Sequence, residues 1–324
     1  MRALIVTAMW PSPAAPERGS FVRDQVAALQ STPGVEVDVF AFPPKGYARA
    51  AVDLRRRYRR ERFDVVHAHF GLTAWPALAV RHATRVVTLH GTDLRHPRSR
   101  RITSAVLPRY DLVAAVSPEL AREIPGAGTS RRVAVLPCGV DLDRFVPMPR
   151  AAARERLGLE PDGRYLLFPA DPARPAKRPD RARELAEATG AHLLALGRVD
   201  PFEVPHWVNA ADAVVVPSEH EGFGLAALEA LACDVPVVAT PVGNHPAALE
   251  GIEGTLCAPY DVSAWGAVLE AHLDARDPRV EGRARAELWS ARRMARRVLD
   301  AWIEASGTPL YSPAEAPSDG ALSI

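Results

Sequence analysis

Short apolar runs rich in β-branched residues alternate along this chain with stretches whose apolar positions recur at helical spacing. RALIVTA (2–8), EVDVFAF (36–42), DVVHAHF (64–70), RVVTLH (85–90), LVAAVS (112–117) and VAVLPC (133–138) read as strands, with helical stretches such as SFVRDQVAALQ (20–30) between them. Near-continuous apolar strands separated by helices predict a parallel sheet covered on both faces. The pattern then starts again with RYLLFPA, AHLLALG, DAVVVPS, VPVVAT and GTLCAP, interleaved with PDRARELAEATG, FGLAALEALAC and DVSAWGAVLEAHLDA. Between the two series, Pro147 and Pro149 interrupt DLDRFVPMPRAAARERLGLEPDG (141–163), ahead of a short helix expected to end at Gly158. The expectation is an α/β chain of two doubly wound domains, 1–148 and 149–305. A tail over 306–324, rich in Pro, Ser and Ala, is expected to be mobile.

With 324 residues, 48% of them hydrophobic, the chain has material for two cores of ordinary size. A net charge of +1 gives no electrostatic footprint for nucleic acid, although arginine is concentrated in RRRYRRER (55–62) and ARRMARR (291–297). Cys138, Cys233 and Cys257 are far apart and lack CxxC spacing, which fits a reducing compartment. No apolar run approaches the length of a membrane span and MRALIVTAMW lacks a signal-peptide pattern, so a cytoplasmic protein is expected.

In open parallel sheets, ligands meet the loops at the carboxyl ends of strands. Five such loops carry chemistry here: PERGSF (16–21), HAHFG (67–71), HGTDL (90–94), ADPARPAKR (170–178) and SEHEGFGL (218–225). In the last, Gly222 and Gly224 let the backbone approach a ligand, and a helix is expected to begin near Leu225 with free N–H groups suited to phosphate. Glu221 and Glu229 are eight positions apart, about 12 Å if helical. That spacing fits the two ends of a sugar, diphosphate, ribose ligand. His67 and His69 share a strand face at a spacing a metal could use, yet no third ligand lies nearby, so packing is favoured. DLD (141–143) reads as a turn and PGAGTSR (125–131) as a surface loop. No Gly-x-Gly-x-x-Gly follows a strand, which argues against a dinucleotide dehydrogenase.

These motifs, in order, resemble the retaining glycosyltransferases of family four, which have the GT-B fold of two Rossmann-like domains facing a cleft. The likeness is carried by RGSFVRDQV, FDVVHAHFG, VVTLHGTDL, VAAVSPEL, VLPCGVDLDRF, LLFPADPARPAKR and NAADAVVVPSEHEGFGLAALEALA. The resemblance implies that the second domain binds a nucleotide diphosphate sugar donor, of UDP or GDP type, and the first binds the acceptor. It assigns Lys177 to the diphosphate, Glu229 to the ribose, and Glu221 and His90 to the donor sugar. Gly19, Gly222, Phe223, Gly224 and Leu225 fall at the donor site. An arginine usual a few residues before the lysine is replaced by Asp171 and Pro172, leaving Arg174 or Arg178 to supply the second cation. Cys138 stands where the family has asparagine, the glycine-rich first loop is reduced to Gly19 and Ser20, and the span between LLALG and NAADAVVVPS is shortened beside the base pocket.

The resemblance also implies front-face transfer to an acceptor hydroxyl with the leaving diphosphate assisting deprotonation, no cofactor and no metal. Acceptor glycans, lipid-linked sugars and small natural products all stay open. An epimerase, a phosphorylase or a non-catalytic nucleotide-sugar module would use a similar cleft. Arg55, Arg56, Arg57, Arg59, Arg60 and Arg62 are expected on one helix, where they would either be solvated or hold the first domain weakly against an anionic membrane.

Overall fold

The computed structural model describes residues 1–127 and 133–307. The end of the expected surface loop (125–131) and nearly all of the expected tail lie outside the described residues.

Two parallel sheets form. The first has the order β2-β1-β3-β4-β5-β6, from β1 (Arg2–Thr7), β2 (Glu36–Ala41), β3 (Val65–His69), β4 (Thr84–Leu89), β5 (Leu112–Ala115) and β6 (Val133–Val135). The second has the order β11-β10-β9-β7-β8, from β7 (Tyr165–Phe168), β8 (His192–Ala195), β9 (Ala213–Val216), β10 (Val237–Ala239) and β11 (Leu256–Cys257). The central strands β1, β3, β5, β7 and β9 are buried along nearly their whole length, as a sheet covered on both faces requires. All described pairings within the sheets are parallel, so each sheet gathers its strand ends, and the loops that follow them, on one side. This is the GT-B architecture.

The chain passes from the first sheet to the second between β6 and β7, a stretch that holds the two prolines. Helix Arg150–Leu157 ends at Gly158 in the left-handed region, φ 66°. Arg154, almost wholly buried, donates to Ala210 O (3.0 Å) and to both carboxylate oxygens of Asp212 (3.0 and 3.1 Å), which also accepts from Arg150. A buried arginine of this kind is tolerated because its charge and donors are matched.

The terminal helix, Ala291–Ser306, departs from the expected boundary at 149–305. Ala291 N donates to Val140 O at 2.7 Å, and the helix then packs Val298, Leu299 and Trp302 against Ile5, Val22 and Val86 of the first domain. Its apolar face covers the first sheet, while Trp265 and Leu269 of helix Val262–Leu273 pack on the second.

The arginine expectation is also revised. Helix Tyr47–Arg57 stops before Arg59, Arg60 and Arg62, so only three of the six are helical; all six are exposed. No helix among the described residues is long and apolar enough to cross a membrane.

Candidate active site

The loops at the strand ends enclose a cavity of about 530 Å³ between the domains. Of the residues expected at the site, His90, Gly19, Arg174, Lys177, Glu221, Gly222, Phe223, Gly224, Leu225 and Glu229 all line it. Arg178 does not. Its guanidinium is held by Asp180 and Glu219, whose contacts raise its pKa further, so Arg174 is the one of the two candidate arginines that faces the cavity.

On the second-domain wall, the chain leaves β9 and turns at Ser218, whose carbonyl accepts from Thr240 Oγ1 at 2.6 Å. Ser218 Oγ donates to Glu221 Oε1 (2.7 Å), and Lys177 Nζ donates to both Glu221 oxygens at 2.6 Å. Glu221 is 8% exposed. Burial alone would raise its pKa; Lys177, followed by His245 and the Lys177 and Ser218 bonds, outweighs burial and holds it below the ordinary carboxylate range. The lysine and glutamate assigned to neighbouring parts of a ligand are therefore ion-paired with each other. The turn carrying Lys177 is pinned to this loop by Glu219 N, which donates to Ala176 O at 2.9 Å.

Helix Leu225–Ala232 starts at Gly224, φ 96°, and Gly224, Leu225 and Ala226 line the cavity, so the helix start, with N–H groups that have no partner within the helix, lies beside it. Glu221 precedes the helix, so the separation of the two glutamates is not a helical rise. Glu229, one turn in, is half-buried, and burial pushes its pKa up to about 7, opposed by Arg144 and reinforced by Asp24.

On the first-domain wall, aromatic rings surround His90, and Glu17, Arg18 and Arg144 also line the cavity. Asp93, 4% exposed, accepts from His90 N and Gly71 N, each at 2.7 Å, and so ties the ends of β3 and β4 together. The His90 ring lies 4.5 Å from that of Phe70 and 5.0 Å from that of Phe21. Burial, then neighbouring His69, lowers its pKa well below 6.5, so the imidazole is neutral at physiological pH. Gly19, φ 69°, caps helix Ser20–Gln30 and sits so close to Met9 O that a Cβ would overlap it.

The walls touch. Arg95 Nη1 of the first domain donates to Glu221 O at 2.8 Å; within the first domain, Arg144 Nη2 donates to Asp24 at 2.6 Å. A Cβ at Gly222 would overlap the His90 carbonyl oxygen, so this close approach requires glycine.

His67 and His69 hydrogen-bond within the core, and no group of three potential metal ligands forms among the described residues. DLD is a turn as expected: Asp141 Oδ1 accepts from Asp143 N and Arg144 N. Cys138 lines the cavity with its thiol pushed up to about 12, by burial and then Glu229. Sequence reasoning missed Arg144, Asp24, Phe21, Phe70, Arg95 and Asp93. All but Arg95 lie within quoted motifs, Phe21 and Asp24 in RGSFVRDQV, Phe70 in HAHFG, Asp93 in HGTDL and Arg144 in VLPCGVDLDRF, but distant partners such as Gly71 for Asp93 and Asp24 for Arg144 carry no local signal.

The Glycosyltransferase Family 4 profile matches residues 3–144 and that of Glycosyl transferases group 1 matches residues 176–289. A D-inositol 3-phosphate glycosyltransferase of Geodermatophilus obscurus is 30% identical over 78% of this chain and 72% of its own length; one of Actinosynnema mirum is 33% identical over 67% and 66%. Among solved structures, sucrose-phosphate synthase from Thermosynechococcus elongatus superposes with TM-score 0.72 at 20% identity, covering 95% of this chain and 99% of that one. Anabaena HepE in complex with UDP-glucose does so with TM-score 0.69 at 17% identity, covering 94% and 100%.

Proposed function

This chain belongs to the family 4, group 1 glycosyltransferases, and on that premise we propose that it transfers a sugar from a UDP-type donor to a hydroxyl of a sugar or cyclitol acceptor with retention and without a metal. That it is a nucleotide-sugar glycosyltransferase follows from the family. The finer reading rests on one observation: a single cavity is lined by Lys177, Glu221, Arg174, a helix start and Glu229 from one domain and by His90 from the other. UDP is favoured over GDP because the structural relative HepE is described with UDP-glucose. A cyclitol or sugar acceptor is favoured by the relatives named for D-inositol 3-phosphate; glycans, lipid-linked sugars and small natural products belong to the same hydroxyl-bearing class.

In this reading the bond from the anomeric carbon to the β-phosphate oxygen breaks while the acceptor oxygen bonds to the same face. The acceptor proton passes to the departing phosphate oxygen. Lys177, Arg174 and the helix start at Gly224 stabilise the charge developing on that phosphate, which places fixed dipoles and cations where charge appears. To reach phosphate, Lys177 must loosen its hold on Glu221, and Glu221 is then free to accept sugar hydroxyls. Glu229 accepts from the ribose hydroxyls and His90 meets the donor sugar from across the cleft. Contact between Arg95 and Glu221 closes the site against water.

Calorimetry with UDP and GDP, then product analysis of UDP-sugar turnover with and without EDTA, tests this. UDP binding and EDTA-resistant formation of an α-linked product from an α-linked donor are expected. An inverted product, or activity lost to EDTA and restored by magnesium or manganese, would reject the corresponding part.

A further inference from the structure

Beneath His90 is a set of buried polar side chains that the transfer step itself does not use. Gln25, on helix Ser20–Gln30 and 8% exposed, places its amide Nε2 3.4 Å from His69 Nε2. His69, fully buried, places Nδ1 3.1 Å from His90 Nε2. We propose that Gln25 is a positioning residue that, acting through His69, fixes His90 in the tautomer with its proton on Nδ1, the nitrogen left to meet the donor sugar. The proposal rests on the reading of His90 as the group that approaches that sugar.

Each link is set by what the groups can donate. An amide nitrogen donates and does not accept, so His69 Nε2 is an acceptor. A neutral imidazole has one N–H, which His69 must then carry on Nδ1 and give to His90 Nε2. His90 Nε2 is thereby an acceptor too, and its own proton sits on Nδ1. His90 lines the cavity, and among the described residues no protein group is bonded to that nitrogen. In this state His90 offers a hydrogen bond to a sugar oxygen and has no lone pair free to act as a base.

A second, independent lock keeps the neighbouring ring in place. Trp302, from the terminal helix, can only donate, and its Nε1 lies 3.1 Å from His67 Nδ1. His67 Nε2 is therefore protonated and donates to Thr88 Oγ1 at 2.7 Å. The His67 ring stacks on His69 at 4.6 Å and 21°, so it also fixes the plane in which His69 lies. Burial lowers the pKa of all three histidines, that of His69 to about 3, which is the neutral state the chain of donors needs.

Long-range proton–nitrogen NMR of protein labelled with nitrogen-15 histidine reads the tautomers directly. In the wild type, His90 and His69 should each show a protonated Nδ1 and a bare Nε2, and His67 the reverse. Gln25→Met, similar in length and unable to donate, should give mixed His69 and His90 tautomers. It should lower kcat for UDP-sugar turnover about tenfold, while the donor KM moves less than about twofold. A His90 with its proton on Nε2 in the wild type would overturn the proposal without any variant. So would Gln25→Met with both tautomers and kcat unchanged. His90→Ala tests the underlying reading separately: full turnover there removes His90 from the reaction whatever its tautomer.

Discussion

On the second-domain wall of the cleft, charge is kept and centred on the Lys177–Glu221 pair, with Arg174 lining the same cavity. Where the first domain meets the second, around Gly222, its titratable group is His90, which burial holds neutral, backed by His69 and His67 and framed by Phe21 and Phe70; Glu17, Arg18 and the Asp24-bound Arg144 are that domain's charged residues on the cavity. The difference matches the two jobs. A departing diphosphate needs charges already oriented before the bond breaks. A sugar ring needs hydrogen bonds of defined direction and surfaces that exclude water, and a neutral imidazole provides both at less desolvation cost than an imidazolium.

The contrast between the walls breaks most readily at the Lys177–Glu221 pair. Glu221→Gln keeps the shape but removes the charge that orients Lys177, and turnover should fall about 10²-fold or more, with a smaller loss in UDP affinity. Initial rates against donor concentration check this; near wild-type kcat would show that the pair is structural. Lys177→Met should also destabilise the fold more than Lys177→Met with Glu221→Gln, because the single variant strands a buried carboxylate. Thermal melts of both decide it.

Gly222→Ala tests whether the two walls must touch. The added methyl meets the His90 carbonyl, so the domains must separate slightly, and kcat/KM should fall by roughly 10- to 100-fold, with the melting temperature little changed. Full activity would mean that the closed arrangement is not the reactive one.

Titration should set the two walls against each other. Glu229 has its folded pKa raised from 4.5 to about 7, so the native state binds the extra proton in that window. Its effect on stability is thus unfavourable above about pH 7 and disappears as pH falls through the window. The histidines, lowered from 6.5, act the other way: the unfolded state takes up protons first, and stability drops as pH falls below about 6.5. Glu229→Gln should raise the melting temperature at pH 8 and leave the acid-side decline intact. If that decline also vanishes, the histidines are not its source. Glu229→Ala should weaken UDP binding by about 1–3 kcal/mol at pH 8, where the carboxylate is ionised; unchanged affinity by calorimetry would remove it from the site.

The strand–helix alternation and both sheets were legible because apolar periodicity is a local property. Lys177, Glu221 and His90 could be placed at the cavity because they stand in loops that follow such strands, and Glu229 because its helix follows one of those loops. What escaped is what distant segments do to each other. Nothing near Ala291–Ser306 says that its apolar face covers the first sheet, since any uncovered sheet would satisfy it. Lys177 and Glu221 looked like two ligand contacts because a 44-residue separation hides an ion pair. Arg178 looked equivalent to Arg174 until Asp180 and Glu219 took its guanidinium.

The smallest expected effect lies outside the cleft and asks where the first domain keeps its positive charge. Arg55, Arg56 and Arg57 occupy the last turn of helix Tyr47–Arg57, and Arg59, Arg60 and Arg62 come after it, all exposed. Val52, 66% exposed on that helix, adds an apolar contact. Near an anionic leaflet each basic residue contributes roughly 1 kcal/mol, and the broken helix spreads them over more than one face, so only part can engage at once. Glu61 is already bound to Arg2 and adds a negative charge beside them. Weak co-sedimentation with vesicles containing phosphatidylglycerol is therefore expected at low salt, falling as ionic strength rises, with none on phosphatidylcholine alone. Reversing Arg55, Arg56 and Arg59 to Glu should abolish it without altering UDP affinity, because these residues are separate from the cavity lining. Equal sedimentation with both vesicle types would mean that the cluster is a solvated edge, and that the first domain's charge is not used to hold the protein at a membrane.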